Sequence, residues 1–145
     1  MIDAQSYFES GVSHSSTALD LYYAGSFQLS FYVAGLSVEC IFRALIARSS
    51  LQFDEMHDLK KLSDSSKFIA NVPVSRTFEL AGNLEQVYTL WSNVHRFRSE
   101  KAMRRFLKNR QFDRGIKGDF LKENCRRIVN AADAIVKEGI VQWTK

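Results

Sequence analysis

Residues 34–46 read AGLSVECIFRALI. Eleven of these thirteen suit a hydrophobic interior, and the other two, Glu39 and Arg43, stand four residues apart. The apolar character extends over 27–48 and covers most of a helical circumference. That pattern predicts a central helix touched by neighbours on several sides. Ala34, Gly35 and Ser37 predict close approach by another helix, at some loss of helix propensity. At i and i+4, Glu39 and Arg43 project from the same face. On a surface helix such a pair contributes only about 0.2–0.5 kcal/mol, whereas a buried charge without a partner costs several kcal/mol. The pair is therefore expected in a gap, a groove or an interface. Either it ties two helices together, or it floors a groove that meets a ligand or partner chain.

Outward from this stretch the periodicity stays helical. Segment 3–23 places Ala4, Phe8, Val12, Ser15, Leu19 and Tyr22 on one stripe, with Asp3 as cap. In the break at 24–26, Gly25 reads as the residue past the helix end and Ser26 as the next N-cap. After a loop over 49–56, HDLKKLSDSSK predicts a short helix with Leu59 and Leu62 inward. Pro73 ends what precedes it and Ser75 is the expected cap of a helix over 76–91, striped by Leu80, Leu84, Val87 and Trp91. Ser99 caps a basic helix over 100–109. The last long helix is expected over 119–138, with Gly139 as its stop and IVQWT at 140–144 left open between helix and strand. These readings predict one all-α domain over 1–145, a mostly antiparallel bundle of four long helices with shorter ones between them.

The 145 residues carry a net charge of +4, unevenly distributed. Arg96 to Arg127 hold twelve Lys or Arg against four Asp or Glu, a balance of +8; the remainder, with eight basic and twelve acidic residues, stands at −4. A basic third on a mildly acidic body favours a polyanionic partner, RNA or DNA, or an acidic protein face; the alternative is an ordinary solvated surface. The start MIDAQSYFES lacks the pattern of a signal peptide. Gln28, Glu39 and Arg43 interrupt the longest apolar stretch, so no membrane span is expected. Cys40 and Cys125 lie in apolar helical patterns and read as buried thiols of a cytoplasmic protein rather than a disulfide.

The segment VECIFRALI, with Glu39 and Arg43, resembles the second-helix signature of HEPN domains. HDLKKL (His57, Asp58, Leu59, Leu62) resembles the element that follows that helix in the family, and VHRFRS supplies an Arg followed by an aromatic, Arg96 and Phe97. The three occur in the family's order across residues 3–138. The resemblance implies a helical bundle that commonly forms a homodimer with a cleft between protomers. It also implies either a ribonuclease of a toxin–antitoxin or phage-defence system, or an inactive module that binds nucleotides or a partner nucleotidyltransferase. The nuclease members carry R-x(4–6)-H. After Arg96 the corresponding positions hold Lys101, Ala102 and Met103, after Arg98 they hold Met103, Arg104 and Arg105, and His57 lies too far beyond Arg48.

Other chemistry is sparse. The scattered His14, His57 and His95 match no metal-ligand spacing, so neither metal nor cofactor is expected. There is no phosphate-binding glycine motif. His57 reads as an anchor for its loop. His95, in the basic region, is the candidate acid or base; Trp91 and Phe97 are candidate base-stacking rings or simply core. Two functions follow. The first is a non-catalytic or weakly catalytic module that binds nucleic acid, a nucleotide or a partner protein, with Glu39, Arg43, Arg96, Arg98, Arg104 and Arg105 as binding residues. The second is a metal-independent ribonuclease with a rearranged site around Arg96 and His95, with Glu39 holding Arg96 in place.

Overall fold

Four helices begin on a side-chain oxygen that accepts an early backbone N–H: Asp3, Asp58, Ser99 and Asp119. The structure, a computed structural model, describes residues 2–49 and 58–145. Among them are six α-helices and no strand: α1 (Ala4–Tyr23), α2 (Phe27–Arg48), α3 (Leu59–Ser66), α4 (Val74–Leu90), α5 (Glu100–Asn109) and α6 (Phe120–Trp143). Most of the 49–56 loop, and His57 with its anchoring role, lie outside the described residues.

The α1–α2 turn closes as a Schellman motif. Ser26 N–H donates to Leu21 O at 2.9 Å and Gly25 N–H to Tyr22 O at 3.1 Å, with Gly25 at φ +83°. Ser26 occupies the N-cap position of α2 but makes no side-chain cap bond. Pro73, rather than Ser75, precedes the first residue of α4, because its ring already holds a φ suited to a helix start.

The largest departure from the sequence reading is at Gly139, which does not stop α6. The helix runs on through 140–143, so IVQWT is mostly its last turn. Gly139 is buried inside the helix because Ile41 of α2 occupies the place a Cβ would take. Gly11 of α1 meets the same side chain from another side, with Ile41 Cδ1 2.9 Å from where its Cβ would stand. Ile41 is thus held in two glycine gaps. Gly35 plays a similar part for the Trp91 ring, whose Nε1–H donates to Tyr32 O at 2.9 Å.

Helices consecutive among the four long ones alternate in direction, but α2 and α6 run parallel through the centre. Cys125 Sγ–H donates to Phe27 O near one end, Gly139 meets Ile41 midway, and Arg48 donates to the carbonyls of Gln142 and Trp143 at the other. α1 lies antiparallel against both, Phe8 stacking on Trp143 with centroids 4.7 Å apart and Ser30 Oγ–H donating to Ala18 O. α4 packs on α6, where Arg76 reaches Glu138 at 3.0 Å. By length and composition α2 qualifies as a membrane span, yet most of it is enclosed by the other helices. Its apolar surface is therefore largely covered within the chain.

Candidate functional site

Glu39 and Arg43 are 4% and 5% exposed, and Arg43 Nε–H donates to Glu39 Oε2 at 3.2 Å. The charged pair in the apolar stretch is thus an internal feature of the fold. Its neighbour Cys40 is buried, and burial followed by the charge of Glu39 pushes the thiol up to about 12. Cys125, likewise free and buried, is pushed up to about 11. A second buried acid gave no periodic signal in the sequence. Glu138 is fully enclosed and bound by Arg76 from sixty-two residues away, with Gln142 Nε2 3.4 Å from its other oxygen.

His95 lies on a 3-10 turn, Asn93–Phe97, that the interruption of the helical pattern marks but does not orient. The turn is capped by Ser92, whose hydroxyl accepts from Val94 N–H at 3.2 Å. It carries His95 into the core, 1% exposed, edge-on to Phe31 and Phe106. Nε2–H donates to Leu90 O at 2.8 Å, and Nδ1 accepts from Arg98 Nε–H at 3.1 Å. Those partners define the neutral tautomer. Burial, aided by the charges of Arg98 and Arg110, lowers the pKa to about 4. With both nitrogens engaged inside the protein, neither is presented to a substrate, contrary to the expectation of an available acid or base.

Arg96 is exposed on the same turn, with its guanidinium 4.5 Å from the centroid of Phe97. Glu39, the carboxylate expected to hold Arg96 in place, is in ion-pair contact with Arg43. The residue between the surroundings of Arg96 and Glu39 is Tyr32. Burial raises its phenol pKa, the charge of Arg96 opposes that rise and Glu39 adds to it. Tyr32 also stacks on Trp91 at 6.0 Å and 22°.

The twelve cations of 96–127 divide by partner. Arg104, Arg126 and Arg127 form ion pairs. Arg96, Arg98 and Arg110 lie over ring faces, the last two both over Phe106. Among the described residues, Lys101, Arg105, Lys108, Arg114, Lys117 and Lys122 meet no carboxylate within ion-pair distance. Arg104 differs from its sequence neighbour. It clasps Asp119 with both Nη atoms, at 2.9 and 3.2 Å, and Asp119 is the N-cap of α6. Arg104 therefore fastens α5 to α6, whereas Arg105 is exposed.

A cleft of about 440 Å³ opens where α2, α3 and α6 end, and Arg48, Lys67 and Lys145 are among its lining residues. Helix C-termini carry partial negative charge, which cations there neutralise; Arg48 does so through the carbonyls of Gln142 and Trp143. The positive lining thus answers the helix ends. Among the described residues no three His, Cys, Asp or Glu side chains converge as metal ligands. Comparisons with family models, curated proteins and solved structures give no match.

Proposed function

We propose that this chain is a non-catalytic, HEPN-like binding module of the cytoplasm that holds a polyanion, RNA or a nucleotide, on the basic shell around α5. A toxin–antitoxin or defence-type system is the setting implied by its sequence resemblance. The observation that carries the reading is the charge distribution: nine of twelve cations between Arg96 and Arg127 have no ion-pair partner among the described residues, while His95 is engaged on both nitrogens. Proton transfer in catalysis contributes roughly 10²–10⁴-fold, so a site without an available acid or base retains little turnover. RNA affinity measured across a salt series tests the binding. It should fall steeply, with a log–log slope of about −0.7 per phosphate contact for single strands, and weaken broadly in Lys101→Glu/Arg105→Glu. Salt-independent binding, or no binding, refutes the reading. Cleavage by the wild type that vanishes in Arg96→Ala would replace it with a rearranged ribonuclease around Arg96 and His95.

A second reading, a protein partner, rests on a different surface. Val74 and Phe78, one turn apart at the start of α4, are each 93% exposed. Such a pair suits a second copy of the chain or a partner such as a nucleotidyltransferase. Sedimentation equilibrium of wild type and Phe78→Ser distinguishes these: a homodimer through this face dissociates in the variant, and a monomer in both leaves only the hetero-partner.

A further inference from the structure

Phe97 is 73% exposed, yet its ring stands on a hydrogen-bonded turn. The turn beneath it is closed by His95 N–H to Ser92 O and Arg98 N–H to His95 O, both 3.0 Å, and anchored by the buried His95 ring. Arg96 lies over the Phe97 ring, and Val94 adds an exposed apolar residue on the same turn. Three residues beyond Phe97, α5 begins. There Lys101, Arg105 and Lys108 stand at i, i+4 and i+7, which places three cations along about 10 Å of one helix face. A flat apolar face at the start of a cationic stripe matches a ligand with a planar ring and a chain of phosphates.

We infer that the Arg96–Phe97 step is a stacking site for an unpaired nucleobase, so that the polyanion is a single-stranded polynucleotide. The inference rests on the binding reading above and specifies it. A duplex keeps its base faces inside its own stack, and a polyphosphate has none; of these three polyanions, only an unpaired strand can use both the ring and the stripe. Stacking on an aromatic side chain tolerates every base because each has a π face. The site therefore selects strandedness rather than sequence.

The test uses the whole chain and fluorescence anisotropy at low salt. Probes are a short labelled single-stranded RNA, the DNA of the same sequence, their fully paired duplexes, and polyphosphate as a competitor without bases. Variants are Phe97→Leu, which keeps apolar bulk without a ring face, and Phe97→Tyr, which keeps the face. Single strands should bind about tenfold more tightly than duplexes. Phe97→Leu should lose about fivefold or more of that affinity with duplex binding unchanged, and Phe97→Tyr should stay within about twofold of wild type. A 2-aminopurine in the strand should change its emission on binding to wild type but not to Phe97→Leu. Equal RNA and DNA affinities assign recognition to base and phosphate alone, and an RNA preference adds the ribose hydroxyl; both keep the inference. Equal binding of strand, duplex and polyphosphate, or a Phe97→Leu curve matching wild type, overturns the stacking site while the charge-based reading survives. No binding of any polyanion removes both.

Discussion

In the α1–α2–α6 core and its α4 flank, the buried charges are met by partners: Glu39 lies 3.2 Å from Arg43, and Glu138 lies 3.0 Å from Arg76. Around α5 the situation reverses, and six cations face no acid among the described residues. The difference follows from solvent. Water stabilises an exposed ammonium or guanidinium without protein help, whereas an interior does not. Charge in the core therefore holds the fold together, and charge on the shell remains available for a ligand.

The strongest way to break this contrast is Glu39→Ala. Removing one member of a buried pair costs about 3–5 kcal/mol, and chemical denaturation should show a loss of that size. Glu39→Met/Arg43→Leu should recover most of it, since hydrophobic replacement of a buried pair is often near neutral. A loss under about 1 kcal/mol in the single variant would place the pair with the surface charges.

Acid probes the hinge between the two regions. The pKa of His95 is near 4 when folded, against an ordinary 6.5, so between those values the unfolded chain binds the extra proton. Its contribution is complete above about pH 6.5 and declines as pH falls toward 4, by about 3 kcal/mol in all. Stability profiles of wild type and His95→Gln should converge in slope outside this window and differ inside it. Parallel profiles throughout would mean that the ring does not titrate as its burial requires.

Packing sharpens the contrast next. Gly139→Ala must displace Ile41 and should cost about 1–3 kcal/mol. Gly82→Ala, on α4 with nothing within 4 Å of the added carbon, should stabilise by about 0.5–1 kcal/mol. Thermal melts with the same sign for both would contradict the close approach of α2 and α6.

The smallest effect separates two adjacent arginines. Arg104→Glu places a like charge on the Asp119 cap and should cost about 1 kcal/mol. Arg105→Glu should stay within about 0.5 kcal/mol of wild type in stability while weakening polyanion binding. Equal stabilities for the two would remove Arg104 from the α5–α6 clasp.

Local chemistry was legible in advance. Asp3 and Ser99 sit at the caps assigned to them, Leu59 and Leu62 face inward, and α5 spans the expected residues. Each of these depends on neighbours within a few residues. What a local reading misses depends on distant ones. Gly139 looks like a stop until Ile41 is placed against it. Arg104 and Arg105 look alike until Asp119 comes round. His95 sits among arginines in the sequence, but the turn points it at Phe31, and no periodicity reports the direction of a 3-10 turn. The Glu39–Arg43 pair was found from its spacing, whereas Glu138 was not, because its partner is on another helix.

The seating of Ile41 between Gly11 and Gly139 also has a consequence for synthesis. One glycine precedes Ile41 on the ribosome, and the other follows after the same ninety-eight residues that separate Phe27 from Cys125. At about 5–20 residues per second, the wait is on the order of 5–20 s. During that interval the most apolar helix of the chain has α1 beside it but not α6. A nascent chain halted before Phe120 presents that bare flank to chaperones and to its neighbours, so premature stops in the last quarter should yield aggregates rather than a smaller folded protein.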